Sequence, residues 1–264
     1  MAQRLLIDSR PVWVKQYPEQ ARRVLLRALD LVARTLGVEA LRPPPHHGGD
    51  IAKSIEKRRL DELRMLDVRV PEVLGEGRAM LVLSEIGSSL SSALKRAADA
   101  ASAERLLELA RAALVDVHRR GGYIGQPLPR NMTVSGDDIG FLDFEEDPRE
   151  VMSLHDAQVR DWIVFAHGVA GYRRDGGSAW LARGLADVDP DIAVGVRDAA
   201  SHLRRLESWL RPFLTRDSRL LASLQALTGL LATTLGLALA LAVDLLHDGE
   251  IDLIGFGIAL GGFS

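Results

Sequence analysis

Between Leu220 and Val243 the chain runs for 24 residues without a charged side chain, and Ser223, Gln225, Thr228, Thr233 and Thr234 are its only polar side chains there. At 1.5 Å per residue such a helix is about 36 Å long, enough to cross a hydrocarbon core of about 30 Å. A buried core helix is normally nearer about 10–14 apolar residues. The sequence therefore predicts one transmembrane helix over 220–243. Arg204, Arg205, Arg211, Arg216 and Arg219 crowd its near side, whereas Asp244, His247, Asp248, Glu250 and Asp252 follow it and no Lys or Arg does. The positive-inside bias then places the preceding residues in the cytoplasm, as the body of a single-pass protein of the inner (cytoplasmic) membrane. The last apolar stretch, Leu253 to Phe263, is too short to span as a helix and carries Gly255, Gly257, Gly261 and Gly262. It reads as an interfacial, re-entrant or packing tail within a short acidic, then glycine-rich segment over 244–264.

The remaining residues are numerous enough to bury a sizeable core. Over the 264-residue chain, 33 Lys and Arg stand against 36 Asp and Glu, giving a net charge of -3. No overall basic field exists to hold nucleic acid, so no nucleic-acid partner is expected. The absence of cysteine excludes disulfides, thiolate nucleophiles and Cys-ligated metals. The first residues lack the long apolar run and small-residue cleavage site of a secretory signal.

Periodicity over residues 1–215 predicts an α+β body. Arg4 to Ile7 and Val12 to Tyr17 read as strands of a hairpin about Asp8-Ser9-Arg10-Pro11. A helix is expected over Glu19 to Leu36, then a loop rich in Pro and Gly that carries His46 and His47. A second helix runs from an Asp50 cap to about Leu66. Val70 to Leu74 and Met80 to Glu85 follow as strands across a Gly75-Glu76-Gly77 turn. Helices are expected at Ser91–Lys95, Ala103–Arg119, Ala157–Gly168, Ser178–Leu185 and Asp191–Trp209, with short strands at Met132–Val134 and Ile139–Leu142. His46 and His47 are adjacent and lie between Pro and Gly, so they cannot share a helix face as metal ligands; they read as a mobile loop.

Strands and a helix followed by a mostly helical remainder with one short hairpin is an order similar to that of protein-kinase-like folds. Val12-Trp13-Val14-Lys15-Gln16-Tyr17 resembles the strand whose lysine grips the nucleotide phosphates, and Glu56 the helix glutamate that pairs with it. Met80 to Gly87, with Glu85, resembles the strand and hinge beside the adenine. The segment from Val117 to Val134 resembles the catalytic loop of the lipopolysaccharide (Kdo/heptose) kinase family and its RIO-like relatives, with His118, Gly121, Gly125 and Asn131 at matching positions. Asp143-Phe144-Glu145 resembles the metal-binding triplet, and Asp161 the helix aspartate that braces the catalytic loop. The chain departs from the pattern at Ile124, where the loop histidine is expected, and at Gln126, where the catalytic aspartate is expected. With three residues ahead of the Arg4 strand, no glycine-rich lid is expected either.

The resemblance implies a two-lobed kinase-like fold, with a minimal N-lobe over residues 1–86 that lacks the glycine-rich loop and a helical C-lobe over 87–215. Lys15, Glu56 and Gln126 are its catalytic positions, and Lys15 and Glu85 contact nucleotide. Asn131 and Asp143 hold Mg2+, while His118 and Asp161 support the loop. The implied partners are ATP, a membrane, and a sugar, lipid-sugar or protein hydroxyl. The alternative is a pseudokinase, a nucleotide-binding regulatory or scaffolding module at the membrane, because a neutral amide at Gln126 cannot take a proton.

Overall fold

The computed structural model describes residues 2–7, 10–19, 33–34, 37–172 and 184–214, with side chains as far as residue 202. The helices expected over Glu19–Leu36 and Ser178–Leu185 lie largely outside those residues, and the segments 220–243 and 244–264 entirely so. Among the described residues, no helix is long and apolar enough to cross a membrane.

The protein is α+β, with two antiparallel sheets and a set of helices. Strands β1 (Ala2–Ile7), β2 (Arg10–Gln16), β3 (Val73–Gly77) and β4 (Met80–Ser84) form a sheet in the order β1-β2-β4-β3. β2 is thus an inner strand, pairing Lys15 with Ala2 on one side and with Leu81 on the other. Side chains directly opposite in an antiparallel pair share a face. Lys15 and Tyr17 accordingly lie on the same side as the buried Leu81 and Leu83.

Helix α1 (Gly49–Met65) packs in the same core. Its buried stripe is Ala52, Ile55, Glu56, Arg59, Leu60 and Leu63, the spacing of one helical face. Two charged residues sit within that stripe, so Glu56 and Arg59 belong to the interior and not to a solvated helix face. Asp50 is not the N-cap. Gly48 occupies that position with extended backbone, and the Asp50 carboxylate accepts instead from the amide of Ala79 (2.9 Å). The reason is crowding: a Cβ on Gly48 would stand 2.7 Å from the Pro18 carbonyl oxygen, and Gly49, with φ of +57°, donates its amide to that oxygen. Nor is Gly75-Glu76-Gly77 a turn. It forms the end of β3, and the reversal falls at Arg78-Ala79, with Ala79 at φ +48°.

A short strand β5 (Ser88–Ser89) leads into helices α2 (Leu90–Lys95) and α3 (Ala100–Arg119). It also joins the hairpin of β6 (Met132–Ser135) and β7 (Asp138–Phe141) in the order β5-β6-β7. Helix α4 (Leu154–Ala170), capped by Ser153, is buried around most of its circumference and packs on helix α5 (Pro190–Leu214) and on the short turns at Glu39–Leu41 and Pro148–Glu150. A helix enclosed in this way can carry polar groups only where partners wait for them. Gln158, Arg160 and Asp161 are those groups.

Candidate functional site

Three distant parts of the chain converge on one ammonium group. Lys15 Nζ, from β2, lies 2.7 Å from Glu56 Oε2 of α1, 2.5 Å from Asp143 Oδ1 and 3.2 Å from Glu145 Oε2. The Tyr17 hydroxyl donates to the same Glu56 oxygen at 2.7 Å. The Lys15 and Glu56 side chains are only 13% and 2% exposed. Removing an ammonium from water costs several kcal/mol, and here three carboxylates offset that cost. Burial alone lowers the Lys15 pKa, but Asp143, Glu56 and Glu145 outweigh it and hold the amine protonated well above the ordinary lysine range. Burial, with the nearby Asp143 carboxylate, holds the Glu56 carboxyl above the usual glutamate range even though Lys15 and the Tyr17 hydrogen bond oppose the shift. The carboxylate oxygens of Glu56, Asp143 and Glu145 lie within 4.8 Å of one another, a set of hard oxygen donors around a cation. The cation at their centre is Lys15.

The β6–β7 hairpin places Asp143. Met132 pairs with Phe141, and the Leu142 amide donates to the Asn131 carbonyl at 2.8 Å, so Asn131 lies opposite the residue that precedes Asp143. Asp143 itself takes φ of +72°, a left-handed conformation unusual for a residue with a side chain. That bend lets Phe144 turn into the core, 1% exposed, while the carboxylates on either side reach Lys15. The Asn131 amide nitrogen donates to the Gln126 carbonyl at 3.3 Å, which leaves its amide oxygen to accept.

The loop before Asn131 is braced from α4. Asp161, with no exposed surface, accepts from the amides of Ile124 and Gly125 at 2.6 Å each and pairs with His118 Nε2 at 3.0 Å. This fixes the backbone on the residue before Gln126. The Gln126 amide nitrogen donates to Glu146 Oε2 at 2.8 Å, while its Oε1 is buried and has no hydrogen-bond partner among the described residues. Glu146 Oε1 lies 3.0 Å from His46 Nδ1, and His47 Nε2 pairs with Glu150 at 2.9 Å. The two histidines are therefore held at carboxylates and do not form a loose loop.

A further set of contacts ties α1 to this loop. The Arg59 guanidinium stacks 3.7 Å from the centre of the Tyr123 ring and donates to the Tyr123 carbonyl at 2.6 Å. Asp147 accepts from the Tyr123 hydroxyl and from Arg58, both at 2.6 Å.

Of the residues singled out from sequence, Lys15, Glu56 and Asp143 meet directly. Asn131 and Gln126 share one hydrogen bond, and His118 and Asp161 another. Glu85 does not touch the Lys15 cluster. It lies just past β4, and its carboxylate is engaged by Arg4 Nε of β1 at 2.9 Å. Tyr17, Glu146, His46, Arg59 and Asp147 were not foreseen as site residues, and Glu145 only as part of the Asp143-Phe144-Glu145 triplet. Arg59 carried no signal in the sequence, because a charge within the run Lys57-Arg58-Arg59 reads as part of a solvated helix face. Nothing in the sequence pairs His46 with Glu146, one hundred residues away. A scan against models of known protein families gives no match to this chain, and a search of curated proteins gives none either.

Proposed function

We propose that the chain is a kinase-like phosphotransferase that binds Mg-ATP and passes the γ-phosphoryl group to a hydroxyl of a sugar, lipid-sugar or protein. The observation that carries this reading is the meeting of Lys15, Glu56 and Asp143, residues separated by up to 128 positions, within 2.7 Å of one ammonium. Phosphoryl transfer asks little covalent chemistry of a protein; it asks for a positioned cation on the phosphates and for oxygen donors that hold a metal. Lys15, oriented by Glu56, suits the first task. Asp143 and the Asn131 amide oxygen suit the second, because Mg2+ takes hard oxygen ligands, usually one or two carboxylates together with phosphates and water. Held by these residues, Mg2+ would supply positive charge against the charge that develops on the transferring group. Arrangement in two lobes, with nucleotide between the four-stranded sheet and the helical part, follows from the same reading. Residues 220–243 would anchor the body to a membrane.

A second reading is favoured by Gln126. Its amide cannot accept a proton, and it stands where the resemblance expects a carboxylate, so the site could hold nucleotide without turnover as a regulatory module. Titration calorimetry with Mg-ATP on the full chain tests the shared premise. Binding that is lost in Lys15→Ala and Asp143→Ala supports it, and no binding by the unaltered protein ends both readings. Transfer of labelled phosphate then separates enzyme from binding module.

A further inference from the structure

Gln126 is bonded to a carboxylate that can do what an amide cannot. Glu146 Oε2 accepts from Gln126 Nε2 at 2.8 Å and its other oxygen meets His46 Nδ1 at 3.0 Å, with both Glu146 and His46 side chains about one-eighth exposed (13% and 12%). The loop that carries Gln126 is fixed by Asp161, and the segment that carries Glu146 lies between Asp143 and Asp147, each held by its own partners. Beside this carboxylate, one amide's width away, the buried Gln126 Oε1 has no donor among the described residues. A buried acceptor left unpaired carries a desolvation cost that an incoming donor removes.

We propose that Gln126, Glu146 and His46 form the acceptor subsite for a polyhydroxylated substrate, a sugar, with Glu146 as the group that receives the proton. This rests on the phosphotransferase reading above. Two adjacent acceptors, one neutral and one anionic, match neighbouring hydroxyls on a sugar ring, whereas an isolated Ser or Thr hydroxyl satisfies one and leaves the other bare. One hydroxyl donates to Gln126 Oε1 and is oriented; its neighbour faces Glu146. In the transfer, the second hydroxyl's oxygen forms a bond to the γ-phosphorus. The bond from that phosphorus to the β–γ bridging oxygen breaks, its electron pair leaving on ADP, and the hydroxyl proton passes to a Glu146 carboxylate oxygen. No electron donor or acceptor is needed. His46 touches Glu146 and not the reacting atoms, and acts as a positioning residue that fixes the carboxylate's orientation.

The test uses the full chain, labelled Mg-ATP, a set of free aldohexoses and a Ser/Thr peptide library, with Mg-ATP affinity measured in parallel. The expected result is transfer to at least one hexose. Glu146→Gln, which keeps the size and the hydrogen bonding to Gln126, lowers that transfer by about 10²- to 10⁴-fold with Mg-ATP affinity unchanged, the range for loss of a general base. His46→Asn lowers kcat and leaves KM for ATP in place. Transfer that survives Glu146→Gln within threefold overturns the role of Glu146. Mg-ATP binding with transfer to peptides alone, or to nothing, overturns the sugar subsite while leaving the nucleotide site standing. Failure to bind Mg-ATP at all refutes the underlying phosphotransferase reading instead.

Discussion

Replacing Asp161 removes the one acceptor that two consecutive buried amides have among the described residues. Ile124 N and Gly125 N each donate to this carboxylate at 2.6 Å, and His118 Nε2 approaches it at 3.0 Å, all beneath a helix with no exposed surface at that position. An unsatisfied buried donor costs about 1–3 kcal/mol, and hydrogen bonds to a charged group contribute at the upper end of the usual scale. With two amides orphaned, Asp161→Ala should lower unfolding free energy by about 3–5 kcal/mol. An ordinary domain has about 5–15 kcal/mol in all, so the loss is a large share of it. Asp161→Asn keeps one accepting oxygen but turns an amide NH2 toward the other donor, and about 2–3 kcal/mol is expected. Urea unfolding followed by tryptophan fluorescence reads both, since Trp162 adjoins the site and lies edge-on to His118 at 6.3 Å. A fall in midpoint with unchanged slope isolates stability from compactness. A loss below about 1 kcal/mol in the alanine variant would show that the loop holds its shape without the brace, and the account of how Gln126 is positioned would fail.

Asp147→Asn should cost about 1–3 kcal/mol at neutral pH through weakened bonds to Tyr123 and Arg58. Burial alone would raise this carboxyl, but hydrogen bonds from Tyr123, Arg58 and the Arg149 amide outweigh it and hold the pKa below the usual aspartate range. The stabilisation is therefore complete above the unfolded value of about 3.9 and is lost as pH falls through the lower folded value. Unfolding curves of the two proteins should converge in strong acid and separate again on neutralisation; a constant gap across that range would contradict the assignment. Tyr17→Phe removes the hydroxyl that donates to Glu56 and should lower stability by about 1–2 kcal/mol in a thermal melt, while an unchanged melting temperature would mean the bond has no net worth. Gly87→Ala should cost about 2–3 kcal/mol, because Gly87 has φ of +137° and its added Cβ would stand 2.6 Å from the Val134 carbonyl oxygen. A loss under about 0.5 kcal/mol in denaturant titration would show that the β5–β6 contact yields easily.

The β1–β2 and β6–β7 hairpins, helix α1 and the long helices were legible in the sequence because each is set by local periodicity, alternation for strands and a three-to-four-residue repeat for helices, whereas the pairing of β2 with β4 was not. Lys15, Glu56 and Asp143 were legible for a different reason, the resemblance of their segments to kinase-like motifs. Boundaries fared worse where a distant backbone intervened. The Asp50 cap failed because the Pro18 carbonyl presses on Gly48, and the glycine turn moved to Arg78-Ala79 because β3 extends to pair with β4. Periodicity also cannot mark the charged residues that a core accepts; Arg59 and Asp147 look like surface charges until Tyr123 is placed between them. By itself, then, the sequence determined which segments become most of the strands and helices, since those depend on neighbours a few residues away, and which charged and amide side chains were there to be brought together. Only the tertiary structure decided that Glu145 joins Lys15, that Glu146 meets both Gln126 and His46, and that Asp161 holds the loop beneath them. Hydrogen bonds and ion pairs act over about 3 Å, and groups a hundred residues apart come within that reach only after the chain has packed.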